Sequence, residues 1–180
     1  MPPVLETERL ILRPYTETDI ETAFALFEQD PDVYRFDPGF ARTLEQREEI
    51  IKRLITGNAE DGEGTLAATL KHDGRLIGQA GLQLYVMPWQ PFATPEAELY
   101  YKFGSAYWGN GYACEAARAL ADFAFTRMRL LRLVTVTHPD NTRSVRLLER
   151  LGFCLGPAPA FFKPNVIGIL TNPAVGRPVG

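Results

Sequence analysis

The run Tyr107-Trp108-Gly109-Asn110-Gly111-Tyr112-Ala113-Cys114-Glu115-Ala116 joins a strand-like segment to an alanine-rich one with good helix propensity. At such a junction the first backbone N–H groups have no helical partner, and the helix dipole is positive. Small residues let an anion approach the backbone closely, and a pyrophosphate is the natural guest. Neither common phosphate loop is present. No lysine follows the glycines, as GxxxxGK[ST] requires, and Cys114 stands where GxGxxG has its third glycine. The residues alone leave two readings open, a phosphate cradle or a glycine turn that merely starts a helix.

Other side chains near this run could move protons. Glu96 and Glu98 lie two residues apart in a strand-like segment, so they share a face. Partial burial would raise such a carboxyl into the range of a general base; without burial both are ordinary surface acids. Asn141 and Ser144 open a later helix. Asn141 reads as its cap, bonded two or three residues ahead, and Ser144 suits a first helical turn. His138, before Pro139, reads as a structural histidine at a strand end, and His72 as a solvated turn residue. Cys114, at a helix start, reads as reactive toward thiol reagents but not as a nucleophile in catalysis. Tyr100 and Tyr101 either line a tunnel or pack as strand aromatics do by default.

The elements that must position these groups follow from periodicity and punctuation. Leu10 to Arg13 reads as a strand stopped by Pro14. Thr16-Glu17-Thr18-Asp19 signals a helix start, with Ile20, Ala23, Phe24 and Phe27 at helical spacing up to Pro31. A second helix starts near Thr43, with Gln46 three residues on and apolar positions at Leu44, Ile51, Leu54 and Ile55; Gly57 ends it. Thr65 to Lys71 and Arg75 to Tyr85 flank Asp73-Gly74, a two-residue hairpin signal. A proline-rich loop, 87–95, carries Trp89 and Phe92. Glu96 to Phe103 is a strand, Ala113 to Met128 a helix and Leu133 to Thr137 a strand. Asn141 to Leu151 is a helix closed by Gly152, and Asn165 to Leu170 a last strand. Strand, helix, strand in that order implies a crossover between parallel strands.

Bulk properties narrow the function classes. With 180 residues, 46% hydrophobic and 23% charged, the chain suits one globular α/β domain, 1–180, with a mixed sheet. The formal net charge of −3 argues against a sequence-independent nucleic-acid binder and against a polybasic membrane anchor. No stretch approaches the roughly 20 apolar residues of a membrane span, and the N-terminus lacks a signal-peptide pattern. Two cysteines without CxxC and two histidines make a zinc cage improbable and are consistent with reduced thiols in a cytosolic protein.

Ala97-Glu98-Leu99-Tyr100-Tyr101 with the glycine run from Tyr107 to Ala116 resembles motif A of the GNAT N-acetyltransferase superfamily. The similarity is closest to the branch that holds the ribosomal-protein alanine and serine N-acetyltransferases. That family's loop is Gln/Arg-x-x-Gly-x-Gly/Ala. Gly111 and Ala113 match it, while Trp108 stands in the Gln/Arg position, as is common in this branch. Three other segments agree in family order: Thr7 to Pro14, His138 to Ser144, and Leu147 to Phe153.

The resemblance implies a mixed, mostly antiparallel GNAT-like sheet, splayed between its fourth and fifth strands and flanked by about four helices. It implies acetyl-CoA as co-substrate, without metal. The cofactor would lie in the splay, with Trp108, Gly109, Asn110, Gly111, Tyr112, Ala113 and Cys114 around its pyrophosphate. Its pantetheine arm would pair with the backbone near Tyr101, Lys102 and Phe103, and Asn141 would touch the same arm while capping its helix. In that family an amine attacks the thioester directly. Glu98 is then the first candidate base, with Glu96 second. Many relatives protonate the leaving thiolate with a tyrosine four residues after the serine; Leu148 occupies that position here, so Ser144 becomes the candidate donor to sulfur. The acceptor, a protein N-terminus or a small amine, stays open; a neutral α-amine is easier to obtain than a neutral lysine. Trp89 and Phe92 either line an acceptor pocket or anchor their loop to the core, and the segment Tyr34-Arg35-Phe36 is a further candidate for that pocket. A homodimer is compatible with the chain. Two other classes stay open: a catalytically silent CoA-binding domain of this fold, and an unrelated α/β binding module.

Overall fold

The computed structural model describes residues 3–36, 42–56, 63–86, 95–160 and 164–174. Eight strands form one sheet: β1 (Leu5–Glu6), β2 (Leu10–Arg13), β3 (Glu63–Leu70), β4 (Leu76–Val86), β5 (Pro95–Phe103), β6 (Arg132–Thr137), β7 (Cys154–Pro157) and β8 (Val166–Thr171). Their order is β1-β2-β3-β4-β5-β6-β8-β7, and every neighbouring pair is antiparallel except β5 and β6. Five α-helices are described: α1 (Ile20–Phe27), α2 (Pro31–Tyr34), α3 (Leu44–Thr56), α4 (Tyr112–Thr126) and α5 (Thr142–Leu151).

The sheet separates two apolar layers. On one face Leu66, Ala80, Ala97, Leu99 and Leu133 meet α4 through Ala116, Ala117, Leu120 and Ala124. Alanine at those positions lets α4 lie close to the sheet. Leu120, 2% exposed, supplies the bulk, and burying such a leucine is worth about 2 kcal/mol. On the other face Ala67 and Leu76 meet Tyr15 with Ala23 and Phe27 of α1 and Ile51 of α3.

The helix starts foreseen from Thr16 and Thr43 are present. The Asp19 carboxylate accepts from the Thr16 backbone N–H at 2.8 Å and is gripped by Arg13 at 2.7 and 2.8 Å, which ties the end of β2 to the entry of α1. Thr43 and Gln46 bond reciprocally, the Gln46 side chain accepting at 2.9 Å and the Thr43 hydroxyl at 3.3 Å. Arg47 of α3 pairs with Glu28, the residue following α1, both buried, so the two helices are locked by a desolvated ion pair.

Several expectations change. The β3–β4 hairpin is not a two-residue turn. Leu70 N–H bonds to the Arg75 carbonyl at 2.9 Å, which leaves a four-residue loop, 71–74, between the strands. The two-residue form needs positive φ at both central residues; here Gly74 has φ +72°, whereas Asp73 keeps negative φ and spends its side chain on the Arg75 N–H. Of the apolar positions of α3, Leu44 and Ile55 are each 38% exposed, whereas Ile51 is fully buried. Helix α2 goes unnoticed in the sequence because four residues carry no periodicity; Asp30 caps it and Pro31 opens it. Strands β1 and β7 are too short to show alternation. Gly57 and the loop with Trp89 and Phe92 lie outside the described residues.

Candidate active site at the splay between β5 and β6

The parallel pair is where the sheet opens. Nine residue pairs join β4 to β5 and six join β6 to β8, but β5 and β6 share a single register pair, Glu98 with Val134. Beyond it, toward their carboxyl ends, the two strands part. Each strand is followed by a helix, α4 after β5 and α5 after β6, so two helix starts face the same end of the gap. In parallel sheets that end is where ligands are held.

The glycine run forms the first of these starts. After β5 a 3₁₀ turn, Ser105–Tyr107, leads to Gly109 at φ +80° and Gly111 at φ +82°. Gly111 is the N-cap of α4, and no side chain caps that helix. A side chain at either glycine would strain this left-handed backbone. A Cβ at Gly109 would project into open space, so it is backbone conformation, not crowding, that requires glycine there. The loop therefore turns the first amides of α4, those of Tyr112, Ala113 and Cys114, outward with no side chain of its own to bond them. That is a cradle for an anion.

Three side chains hold the cradle. The Trp108 indole N–H donates to the Phe103 carbonyl at 2.7 Å, which pins the loop to the end of β5. Trp108 thus serves as an anchor, and Phe103, expected to pair with a ligand, has its carbonyl already bonded and its ring buried in the core. Asn110 donates its side-chain amide to the Tyr107 and Trp108 carbonyls at 3.2 and 3.3 Å. Arg9, from the turn before β2, donates to the Asn110 carbonyl at 2.9 Å, pairs with Glu115 at 2.7 Å and lies 4.6 Å over the Tyr112 ring. Burial pushes the Glu115 carboxyl up, but the Thr7 hydroxyl and the backbone and guanidinium of Arg9 together hold it below the ordinary value. On the other side, Arg143 lies 4.8 Å over the Trp108 ring. Two guanidinium groups therefore flank the loop. Both arginines fall inside the family-like segments Thr7 to Pro14 and His138 to Ser144, but nothing in the sequence marks them for this loop, since only the fold brings residue 9 to residue 110.

The second helix start is built differently. Asn141 caps α5, its side-chain oxygen accepting from the Ser144 N–H at 3.2 Å. This is the cap foreseen from its type. The Ser144 hydroxyl lies 2.9 Å from the Tyr101 phenol oxygen of β5. Burial pushes the Tyr101 phenol up to about 12, offset in part by the hydroxyl contact with Ser144, in which either oxygen can be the donor. Tyr101 is also electrostatically coupled to Cys114 in the first turn of α4, so it stands between the two helix starts. Cys114 is a half-buried free thiol and Cys154 an exposed one.

The two carboxylates of β5 separate cleanly. Glu96, 5% exposed, is gripped by Arg132 through both oxygens, so a cation already compensates it. Among the described residues no cation pairs with Glu98. Burial pushes its carboxyl up to about 7, and a backbone N–H from Val136 draws it back down. Since Val136 lies two residues past Val134, the one β6 residue paired with β5, the Glu98 carboxylate sits in the widening gap. A carboxyl near 7 has the titration range of a general base.

Nearby, Phe36 stacks on His138 at 5.3 Å, which joins the segment after α2 to the loop after β6. His138 accepts from the Asp140 N–H at 3.2 Å, a structural use of its ring. Lys102 pairs with Gln79 across β4 and β5. Among the described residues no group of acidic, histidine and cysteine side chains could hold a metal ion, and no helix is long and apolar enough to cross a membrane.

Comparison with known proteins shows the family and the fold. The family model for the acetyltransferase (GNAT) domain matches residues 9–154. The uncharacterized N-acetyltransferase YoaA of Bacillus subtilis is 32% identical over 154 residues, 84% of this chain and 82% of that protein. The crystal structure of an acetyltransferase from Agrobacterium tumefaciens superimposes with a TM-score of 0.75 at 31% identity, covering 93% of this chain and 94% of that one. The ribosomal-protein-S5-alanine acetyltransferase of Vibrio fischeri shares the fold, with a TM-score of 0.76 at 18% identity over 95% of this chain and 97% of that one. Matched over residues 9–154 and by relatives along most of its length, the chain belongs to the GNAT family of N-acetyltransferases.

Proposed function

We propose that this N-acetyltransferase carries an acetyl group from acetyl-CoA directly to a primary amine, with Glu98 as the base and Ser144 as the hydrogen-bond donor to the leaving sulfur. The observation that carries the reading is the uncapped start of α4. Its outward amides and two flanking guanidinium groups suit a pyrophosphate, and the gap between β5 and β6 leads from there to Glu98, Tyr101 and Ser144. Bound there, acetyl-CoA would supply the activated acyl group. Tyr112, Ala113 and Cys114 would hold its phosphates through their amides, and Tyr101 and Lys102 would border its arm. Glu98, near 7, would be ionised often enough at neutral pH to take a proton from the attacking amine, directly or through one water.

For the acceptor we favour an exposed α-amine. Its ordinary pKa near 8 leaves a useful neutral fraction at neutral pH, whereas a lysine near 10.4 does not. The likeness in fold to the Vibrio fischeri enzyme, named for an alanine of a ribosomal protein, supports the same class.

The test is thermal unfolding with and without acetyl-CoA and CoA, followed by free-thiol release with a panel of peptides and small amines. Ligand at 100- to 1,000-fold over its dissociation constant should stabilise the fold by roughly 3–4 kcal/mol. Peptides with a free α-amine should release thiol faster than the same peptides with a blocked N-terminus and a free lysine. No thermal shift at saturating ligand would remove the cofactor assignment, and preference for the lysine peptides would remove the α-amine.

A further inference from the structure

The family resemblance leaves a gap in the chemistry, because Leu148 stands where many relatives have the tyrosine that serves the leaving sulfur. A different tyrosine reaches the same neighbourhood from the sheet. Tyr101 lies on β5 three residues past Glu98, on the opposite face, and its phenol oxygen is 2.9 Å from the Ser144 hydroxyl. The contact joins residues far apart in sequence and spans the open end of the β5–β6 gap, between the first turns of α4 and α5.

We infer that Tyr101 is a positioning residue for acetyl transfer, donating its phenol hydrogen to the Ser144 oxygen so that the one hydroxyl proton of Ser144 points at the leaving sulfur. This rests on the acetyl-transfer reading above and on Ser144 as the donor to sulfur. In the step concerned the amine nitrogen bonds to the acyl carbon, the carbon–sulfur bond breaks, and its electron pair goes to sulfur. The proton lost by nitrogen goes to Glu98, from which it returns to solvent. Sulfur leaves as a thiolate that accepts a hydrogen bond from Ser144.

Two physical points favour a hydrogen bond through Ser144 over proton transfer from Tyr101. A buried phenol near 12 does not surrender its proton to a thiolate whose acid form titrates near 8.5 when free. It does remain protonated at every working pH, and hence a constant donor. A serine hydroxyl has a single proton and a free rotor. Once its oxygen accepts from Tyr101, and while the Asn141 side chain is occupied by the Ser144 N–H, that proton is left for a third group.

The decisive comparison is a double-mutant cycle with Tyr101→Phe, Ser144→Ala and the pair, in the full chain. It reads kcat at saturating amine, KM for acetyl-CoA, and the shift in melting temperature on adding CoA. Tyr101→Phe should lower kcat about 5-fold, the worth of one neutral hydrogen bond, with KM and the CoA-induced shift kept. Ser144→Ala should lower kcat by about 10- to 100-fold. The double variant should be no slower than Ser144→Ala, because Tyr101 has nothing left to act through. Should Tyr101→Phe fail to fold, Tyr101→Met carries the same comparison. A wild-type kcat in the Tyr101 variant, or a double variant slowed by the product of the single losses, would overturn the inference while leaving acetyl transfer intact. A full-rate Ser144→Ala would overturn both the inference and the assignment of Ser144. Loss of the CoA-induced shift in the unaltered chain would instead strike the cofactor assignment.

Discussion

Helices α4 and α5 occupy equivalent places. Each follows one strand of the parallel pair, and each begins at the carboxyl end of the same gap. Their first turns are nevertheless treated in opposite ways. The start of α5 is closed by its own sequence, with Asn141 bonded to the Ser144 N–H. The start of α4 is left open by Gly111, which has no side chain to offer and holds a left-handed conformation at φ +82°. A helix start with glycine in place of a capping side chain gives up roughly a few tenths of a kcal/mol. The sacrifice makes sense where another anion is to take the cap's place. Around the open turn the chain has spent other interactions on rigidity: Arg9 on the Asn110 carbonyl, Trp108 on the Phe103 carbonyl, and Asn110 on its own loop. The contrast teaches that what sets the proposed anion site apart is less its glycine than its missing self-satisfaction inside a well-braced frame.

The sharpest way to break this contrast is to close the open turn. Gly111→Asp puts a carboxylate where the pyrophosphate is proposed to sit. Two unit charges about 4 Å apart at an effective dielectric near 20 repel by about 4 kcal/mol, roughly three orders of magnitude in affinity. Calorimetric titration with CoA should show that loss, and undiminished affinity would end the phosphate-cradle assignment.

On the other face of β5 from Tyr101 lies Glu98, and Glu98→Gln should lower turnover by on the order of 100-fold with CoA binding kept. The same variant carries a stability signature of fixed sign. The folded carboxyl titrates near 7 against an ordinary 4.5, so between those values the folded state binds more protons than the unfolded one. Its stabilising contribution is complete below pH 4.5 and is lost as pH rises through 7. Glu98→Gln should therefore melt higher than the unaltered chain at pH 8, with the difference vanishing below pH 4.5. An equal melting temperature at pH 8 would mean that the carboxyl is not held up by burial.

Loosening the frame should cost less than blocking it. Arg9→Ala removes the brace on Asn110 and one of the two flanking cations, and should weaken CoA about 5- to 10-fold. The KM for an acetyl-pantetheine thioester, which has no pyrophosphate, should stay where it was. If both ligands weaken equally, Arg9 supports the fold at large and not the cradle. Arg9→Lys should recover only part of the affinity, because a lysine cannot bond the Asn110 carbonyl and Glu115 in one rigid fork.

The smallest expected effect falls on the closed turn. Asn141→Ala should cost about 1 kcal/mol in urea unfolding, the ordinary value of a lost cap, and Asn141→Asp should restore it. If KM for acetyl-CoA also rises in Asn141→Asp, the side chain contacts the ligand as well as its own helix.

Much of this arrangement was legible in the chain as letters. The family was readable because its segments recur in order, and the helix boundaries because capping is chemistry between residues three apart, as at Thr43 with Gln46 and Asn141 with Ser144. The illegible parts have a common cause in distance along the chain. Arg9 meets Asn110 and Glu115 only after β2 and α4 pack on the same sheet. The hairpin at Gly74 was placed correctly but its loop length was not, because pairing of Leu70 with Arg75 depends on the register of the two strands and not on the Asp-Gly pair alone.

The two glutamates of β5 mark the boundary between these kinds of knowledge. Alternation along a strand sets Glu96 and Glu98 on one face, and the sequence by itself determines that much. It also determines that Gly111 can begin a helix without capping it. Which carboxylate is neutralised and which is left to titrate is decided by Arg132, on the neighbouring strand, and by where β5 and β6 stop pairing. Side-chain type and local spacing are properties of the chain. Desolvation and the company of distant charges exist only once the sheet has closed around them, and it is desolvation that raises the Glu98 carboxyl to about 7.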